Sequence, residues 1–181
     1  VENGFHIPEN QLQFALGRHE IPIEHQKVAT ELGKVLLYYL SIPENLKMMD
    51  TVFIEGHTDS VPNTREMGNW GLSTYRAIAL WNFWTDKPGE IASLKNLTTI
   101  PDDPQTPAKP LISVSGYADT RSTHGFLNRQ SIKDDRPEDR RIDIRFTLIS
   151  EEKQNLEATK ESFKVMLENL KKIIDRIDVA N

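Results

Sequence analysis

Apolar side chains recur along this chain with two different periods, and these periods predict its first regular elements. From Ile23 to Leu40 the apolar residues fall three and four positions apart, so they share one face of a helix, and Pro43 does not allow that helix to continue. From Leu12 to Leu16 and from Arg141 to Ile149 apolar and other residues alternate, as they do in half-buried strands. In the second of these strands the side chains expected to face outward are those of Asp143, Arg145 and Thr147.

Two further strands and a second helix lie between these elements. Thr51 to Glu55 is rich in β-branched and aromatic residues and ends at Gly56, which is typical of a strand, and Leu111 to Val114 is a shorter run of the same kind. A helix is expected to begin at Ser73, because its hydroxyl can accept a hydrogen bond from an amide of the first turn. The predicted order of elements is therefore β-α-β-α-β-β.

Two segments depart from this alternation. Residues 86–110 contain five prolines among small polar residues, which predicts an irregular insertion loop. After residue 150, Leu156, Phe163, Leu170 and Ile177 recur at intervals of seven, which predicts a long C-terminal helix with an apolar seam. We therefore divide the chain into a domain at 1–150 and a C-terminal helix at 151–181. The seam packs on its own domain, on a second copy of the chain or on another subunit of a larger assembly.

The composition of the chain excludes several kinds of partner and chemistry. The chain has 181 residues, enough for one domain with a proper core, and a formal net charge of −5, which argues against a nucleic-acid surface. It has no cysteine, so thiolate chemistry and Cys-ligated zinc are excluded, and no apolar run approaches the length needed to cross a bilayer. Because the sequence begins at Val1 rather than at a methionine, we expect a longer parent chain with a signal or membrane anchor upstream.

Three short motifs surround the strand that ends at Gly56 and the helix that follows it. They are Gly56-His57-Thr58-Asp59 at the strand end, Asn69-x-x-Leu72-Ser73-x-x-Arg76-Ala77 at the helix, and Asp139-Arg140-Arg141-Ile142 at the last strand. In this order and spacing they resemble the signature of C-terminal peptidoglycan-binding domains of the OmpA/MotB/Pal type. The resemblance covers roughly residues 12–149. It implies an α+β two-layer sandwich, in which two helices pack against a small mixed sheet.

The resemblance implies a ligand as well as a fold. Domains of this family bind the stem peptide of the bacterial cell wall through meso-diaminopimelate, whose free end carries a carboxylate and an ammonium group. A carboxylate and a guanidinium held close together suit such a zwitterion. We therefore expect Asp59 to bind the ammonium, and Arg76, in the first turn of its helix, to bind the carboxylate with help from the helix dipole. The full set of expected ligand-binding residues is Thr58, Asp59, Asn69, Leu72, Arg76, Arg140 and Arg141.

Four members of this set have roles that the sequence leaves open or makes secondary. Asn69 either holds the loop or bonds the backbone of the peptide, and Leu72 anchors the loop by packing. Strand ends twist, so the sequence does not decide whether Arg140 or Arg141 reaches the ligand.

A branch of the family is indicated by two further segments. Gly116-Tyr117-Ala118-Asp119 and Arg141-Ile-Asp-Ile-Arg145-Phe146 resemble the MotB-like branch, whose members anchor ion-driven stator complexes to the cell wall. This implies the periplasmic domain of a bacterial inner-membrane protein, with an outer-membrane association as the alternative. The expected partners are peptidoglycan, a parent membrane complex and a second copy of the chain, with no cofactor and no catalysis.

Other functions have weaker support in the sequence. His57 with Asp59, or His19 with His25, would begin a metal site, but no zinc-binding helix motif is present and no metal is expected. Phosphate-loop and serine-hydrolase motifs are absent from the sequence as well. The remaining alternatives are an enzyme that processes peptidoglycan and a structural dimerisation module with a vestigial pocket.

Overall fold

The computed structural model describes residues 4–8, 10–12, 14, 18–86, 88–101, 103–123 and 135–149, together with 161, 164–166, 168, 169 and 172. Its regular elements are β1 (Gly4–Pro8), α1 (Ile23–Leu40), α2 (Pro43–Leu46), β2 (Met49–Gly56), α3 (Gly68–Thr85), β3 (Ile112–Gly116) and β4 (Arg141–Leu148), with short 3₁₀ helices at Glu90–Asn96 and Pro137–Asp139. The predicted alternation of strands and helices is confirmed, and α2 adds one short turn after α1.

The strands form one mixed sheet in the order β1-β4-β2-β3. β2 runs parallel to β3, with Ile54 beside Val114, and antiparallel to β4, with Ile54 beside Ile144. β1 pairs antiparallel with the other edge of β4. Parallel neighbours need a long crossover connection, which α3 and the segment after it supply between β2 and β3. The α+β class with a small mixed sheet is thereby confirmed.

α1 and α3 share one core with the sheet. The apolar positions of α1 are buried at helical spacing and meet the inward side chains of β2 and β4. Trp84 of α3 is buried, and its indole nitrogen donates to the Ala29 carbonyl of α1 at 2.7 Å, so this buried donor is satisfied. The largest fully buried side chains are Trp84, Phe146, Ile7, Leu12, Leu32, Leu36, Leu40, Met49, Ile54, Leu80, Leu94 and Leu111.

Two element boundaries differ from the sequence prediction. The first strand is Gly4–Pro8; Leu12 and Phe14 are buried outside any strand, while residues 13, 15 and 16 of the predicted strand lie outside the described residues. α3 begins at Gly68 rather than at Ser73, and the chain turns into it through Met67, whose φ is 63°. The prediction that Ser73 caps the helix is therefore wrong.

The predicted insertion loop is more regular than its composition suggests. It contains the 3₁₀ helix Glu90–Asn96, in which Leu94 is buried. Ile91 and Trp84 both approach Gly33 of α1, where an added Cβ would lie 2.9 Å from Ile91 and 2.7 Å from Trp84. This segment therefore packs against the helical layer as part of the folded body.

Seven residues of the predicted C-terminal helix are described, and all of them are helical. Met166 is buried in the main core, and Nδ2 of Asn169 donates to the hydroxyl of Tyr39 on α1 at 2.7 Å. Both contacts are made with the chain's own domain, as the first of the three alternatives requires. The seam residues Leu156, Phe163, Leu170 and Ile177 lie outside the described residues. Within the described part of the chain, no helix has both the length and the apolar character that a bilayer crossing requires.

Candidate functional site

α3 lies so close to the ends of β2 and β3 that both strand ends require glycine. A Cβ at Gly56 would lie 1.9 Å from the carbonyl oxygen of Ser73, and a Cβ at Gly116 would lie 2.2 Å from Oγ1 of Thr74. Because packed atoms do not tolerate such distances, any other residue would push the helix away from the sheet. Gly56 therefore sets the spacing between α3 and the strand end that leads into the first motif.

Ser73 links α3 to the turn that follows β3. It is fully buried, its hydroxyl donates to the carbonyl of Trp70 at 3.1 Å, and its oxygen accepts the amide of Ala118 at 3.0 Å. Ala118 has φ 50°, an uncommon conformation for a residue other than glycine, and its carbonyl accepts the amide of Thr58 at 2.9 Å. The turn thus ties the backbone of the first motif to the helix.

A cleft of about 590 Å³ opens between the loop after β2, the side of α3 and the start of β4. It is lined by Phe14, Thr58, Asp59, Val61, Pro62, Asn63, Thr64, Arg65, Asn69, Leu72, Arg76, Asp135 and Arg140. Six of the seven residues expected to bind a ligand are among them, and Arg141 is not. The fold therefore brings the first two motifs together with one arginine of the third.

Asp59 is buried in the wall of this cleft and accepts two hydrogen bonds. Its Oδ1 accepts the amide of Val61 at 3.2 Å, and its Oδ2 accepts Nη1 of Arg140 at 2.6 Å. The first bond closes a turn of the kind that loop aspartates commonly make, and the second is a charge-assisted bond to the segment before β4. Asp59 therefore shapes the loop and also presents a shielded negative charge in the cleft.

Arg76 reaches the cleft from the middle of α3. Since α3 begins at Gly68, Arg76 lies about two turns beyond the helix start, so the expected contribution of the helix dipole at this residue is wrong. The side chain is buried, Nε donates to the carbonyl of Arg18 at 3.2 Å, and the guanidinium carbon lies 5.0 Å from the centre of the Phe14 ring. These contacts hold the orientation of the guanidinium.

The loop after β2 is held by the side-chain amide of Asn69. Its Nδ2 donates to the carbonyls of Asp59 at 3.2 Å and Val61 at 3.0 Å, and its Oδ1 accepts the amide of Asn63 at 3.1 Å. Of the two roles expected for Asn69, the geometry therefore shows the one that holds the loop. Leu72 lines the cleft beside it and is partly buried, in keeping with a packing anchor.

Arg140 and Arg141 lie on opposite sides of the sheet end. Arg140 binds Asp59 and also binds Asp135, and its side chain is 22% exposed. Arg141 turns to the other face, where its Nε lies 3.0 and 3.2 Å from the two carboxylate oxygens of Asp143. Of this pair, only Arg140 lines the cleft.

Asp143 faces away from the helices, as predicted, but it is buried rather than exposed to solvent. Its carboxylate accepts Nδ1 of His6 at 2.7 Å, binds Arg141 and lies 3.1 Å from Nε2 of His57. Burial acts to raise the pKa of the Asp143 carboxyl, but the close approach of His57, the hydrogen bond with His6 and the charge of Arg141 outweigh it and hold that pKa well below its usual range. This carboxylate joins β1, β4 and the end of β2.

Glu55 lies on the same face of the sheet and is surrounded by donors. Arg145 binds it through Nε at 2.8 Å and Nη2 at 2.6 Å, Arg121 at 3.2 Å and the hydroxyl of Tyr117 at 3.2 Å. The hydrogen bond to Glu55 raises the pKa of the Arg145 guanidinium, against a smaller opposing effect of burial. Arg145 also lies 4.4 Å from the centre of the Phe53 ring, so the arginine covers both the carboxylate and an aromatic side chain.

Glu55, His57 and Asp143 form the one group of described residues whose ligand atoms are close enough to share a metal, within 4.8 Å of one another. The two carboxylates are already bound by the guanidinium groups of Arg121, Arg141 and Arg145. Three arginines minus two carboxylates give these five side chains a formal charge of +1, so a divalent cation would enter a site that is already positive. We assign the cluster a structural role.

Several cleft residues were not singled out in the sequence. Those between Val61 and Arg65 connect Asp59 to Asn69, so their position around the site follows from the two motifs that flank them. Phe14 and Asp135 lie in segments without a motif, and only the folded chain brings them to the cleft.

Comparison with solved structures shows that the chain has the α+β fold of MotB periplasmic domains. Solved structures with this fold include two of the periplasmic domain of Helicobacter pylori MotB. One has a TM-score of 0.53 and 16% sequence identity, covering 93% of this chain and 87% of that chain. The other has a TM-score of 0.51 and 14% identity, covering 93% of each chain. No protein-family model and no curated protein sequence matches the chain. At such identities the likeness establishes the fold, and the function has to be argued from the cleft.

Proposed function

We propose that this chain binds the stem peptide of bacterial peptidoglycan, without catalysing a reaction on it, and thereby anchors a membrane complex to the cell wall. The observation that carries the proposal is the pair of opposite buried charges, Asp59 and Arg76, in the wall of one cleft. The fold shared with the periplasmic domains of MotB supports a periplasmic location. A membrane-anchored parent chain and pairing with a second copy belong to the same proposal.

The free end of meso-diaminopimelate suits this cleft, because its ammonium and its carboxylate are carried by one carbon atom. Asp59 attracts the ammonium, and the guanidinium of Arg76 can bind the carboxylate through two parallel hydrogen bonds. Asp59 is 5% exposed and Arg76 is 4% exposed, so solvent screens these interactions weakly. The cleft volume of about 590 Å³ is within the range of sites that hold small ligands.

Co-sedimentation of the chain with purified peptidoglycan sacculi tests the proposal. Asp59→Asn and Arg76→Gln are each expected to weaken binding by at least about tenfold, because each removes one charge of the cleft and leaves the ligand group of opposite charge without its partner. Asp86→Asn, at an exposed aspartate after the end of α3, is the matched control and should bind like the parent. Circular dichroism and urea unfolding establish that every variant is folded.

The result that would contradict the proposal is equal binding by the parent and by both cleft variants, or no binding by the parent. Release of soluble fragments from the sacculi would instead favour an enzyme that processes the polymer.

A further inference from the structure

A second concave surface, of about 310 Å³, lies between α3 and the segment that precedes α1. This outer groove is lined by the apolar side chains of Ile78, Ala79 and Phe83 and by the rings of His19 and Tyr75. The centres of the two rings lie 5.5 Å apart, and Tyr75 is 46% exposed. Part of the tyrosine ring is therefore open to a ligand, beside a wall that is already apolar.

The face of α3 that borders the outer groove carries no charged side chain. Arg76 is the one charged residue of α3, and it is buried on the side of the cleft. An exposed helix face usually carries charged residues, and exposed apolar surface bordered by polar groups is typical of a binding site. Among the described residues that line the outer groove, only Glu20 carries a fixed charge. Its exposed carboxylate accepts the amide of His19 at 3.3 Å and has further capacity to accept hydroxyl groups.

These groups suit a neutral sugar ring. A sugar has an apolar C–H face, which packs on an aromatic ring, and hydroxyl groups, which donate to a carboxylate. An anionic ligand would meet the charge of Glu20 without a lysine or arginine to offset it among the described lining residues. A second copy of this chain is disfavoured on the same ground, because each copy has a formal net charge of −5.

The outer groove and the cleft are neighbours on two elements of the fold. In the segment before α1, the carbonyl of Arg18 accepts Nε of Arg76 at 3.2 Å on the cleft side, while the next residue, His19, approaches the ring of Tyr75. On α3, Tyr75 and Arg76 are consecutive residues, about 100° apart around the helix axis. A stem peptide of three residues spans roughly 10 Å. The sugar that carries a peptide held in the cleft is therefore within reach of the outer groove.

We infer that the outer groove binds the glycan strand of peptidoglycan, with the apolar face of an N-acetylated amino sugar on the ring of Tyr75 and a sugar hydroxyl donating to Glu20. This inference rests on the proposed function, which supplies the identity of the polymer. The strand is uncharged wherever a stem peptide is attached, in keeping with the uncharged face of α3. Two sites on one domain then bind two parts of one polymer, and joining them raises the overall affinity above that of either site.

The test is isothermal titration of the full chain with two separate probes, soluble glycan strands from which the stem peptides have been removed, and the tripeptide L-Ala-γ-D-Glu-meso-diaminopimelate. Tyr75→Ala is expected to bind the strands at least about tenfold more weakly than the parent, because the stacking surface is lost, and to bind the tripeptide as the parent does. Tyr75→Phe keeps the ring and should keep the binding of the strands. Asp59→Asn should show the reverse pattern, with the tripeptide lost and the strands retained. Tyr38→Ala, at a tyrosine of α1 that is 66% exposed, is the matched control and should bind both probes like the parent.

Equal affinity of the parent and Tyr75→Ala for the strands, or a parent that does not bind them, overturns the inference, and the proposed function stands if the parent binds the tripeptide. Binding of the strands that depends on Tyr75, without binding of the tripeptide, supports the inference and overturns the stem-peptide part of the proposed function. If the strands do not bind and Tyr75→Ala instead lowers the sedimenting mass, the groove is a contact between two copies and the inference is wrong. Glu20→Ala, which should weaken the binding of the strands by about fivefold, replaces Tyr75→Ala if that variant does not fold.

Discussion

Two groups of charged side chains meet at the ends of β2 and β4, and they differ in what surrounds them. The cleft group, Asp59, Arg76 and Arg140, borders about 590 Å³ of open space. The sheet-face network consists of Glu55, Asp143, Arg121, Arg141, Arg145 and the side chains that bind them. In the network each carboxylate accepts hydrogen bonds from several residues of its own chain, whereas Asp59 accepts one from a backbone amide and one from Arg140.

The difference shows how neighbouring residues of one motif can have opposite roles. Successive side chains of an extended segment point to opposite faces, so Arg140 lines the cleft while Arg141 enters the network. His57 and Asp59 also differ in their surroundings, although both follow the end of β2 at Gly56: His57 lies 3.1 Å from Asp143, while Asp59 enters the cleft. These motifs therefore mix residues that line the cleft with residues that hold the strand ends in place.

The largest expected effect comes from Glu55→Ala, which breaks the sheet-face network. Arg121 and Arg145 lose their buried carboxylate, and the free energy of unfolding should fall by about 3 kcal/mol. The expected loss of stability is at the low end of the range for breaking a buried ion pair, because both arginines are partly exposed. Urea unfolding followed by circular dichroism measures the change. The control, Glu66→Ala at an exposed glutamate, should stay within about 0.5 kcal/mol of the parent. If Glu55→Ala lowers the free energy of unfolding by no more than Glu66→Ala does, the network does not stabilise the fold.

A smaller and pH-dependent effect is expected from Asp143→Asn. The folded pKa of Asp143 is held below its ordinary value of 3.8, so the carboxylate stabilises the fold above that pH. This contribution is lost as the pH falls from about 4 through the folded pKa. Near neutral pH the variant should therefore be less stable than the parent by about 2 kcal/mol, and the difference should shrink below about pH 4.

Urea unfolding at several pH values between neutrality and about pH 3 measures this difference. Asp86→Asn is the matched control, and its stability curve should run nearly parallel to that of the parent, because Asp86 is exposed. A difference between the parent and Asp143→Asn that stays constant over the whole range would show that the charge of Asp143 does not contribute in the way the bonds to His6, His57 and Arg141 indicate.

The smallest effect on stability is expected from Asn69→Ala, which nevertheless acts on the cleft. The change removes three hydrogen bonds with the loop, two donated to the carbonyls of Asp59 and Val61 and one accepted from the amide of Asn63. It should cost about 1 kcal/mol, because these bonds are exposed or only partly buried and water can replace them. Binding to sacculi should fall more than stability does. Amide hydrogen exchange of residues 60–66 should become faster than in Asn82→Ala, a change at an exposed asparagine of the same helix. Weaker binding with unchanged exchange would instead indicate that Asn69 contacts the ligand directly.

Elements with a continuous period could be predicted from the sequence, and elements made by distant contacts could not. The bounds of α1 are those that its apolar spacing predicted, and the apolar face of β4 is buried as its alternation predicted. β1 is a five-residue segment with glycine at one end and proline at the other, and it becomes a strand through pairing with β4 at the far end of the domain. The first turn of α3 contains Gly68 and Gly71, which disfavour a helix in isolation, so its start depends on tertiary packing.

The candidate site likewise contains residues that local sequence motifs predicted and residues that only distant contacts bring to the cleft. The motifs identified Asp59 and Arg76 because their spacing is local to one strand, one loop and one helix. The opposite positions of Arg140 and Arg141 agree with the alternation of side chains in β4, whereas no sequence pattern marked the 3₁₀ helix Pro137–Asp139 that leads into this strand. Phe14 reaches Arg76 across the fold, and no local pattern marks it.

The position of β4 has a consequence for the time at which the cleft forms. β4 is the last strand in the sequence, yet it lies between β1 and β2 in the sheet, and the bond from Arg140 to Asp59 spans 81 positions of the chain. Contacts between such distant residues must overcome the entropy of closing a long loop, and they slow folding. A nascent chain that has not yet released residues 135–149 has neither a complete sheet nor the second wall of the cleft. The cleft is thus complete only once the last strand of the chain has joined the sheet.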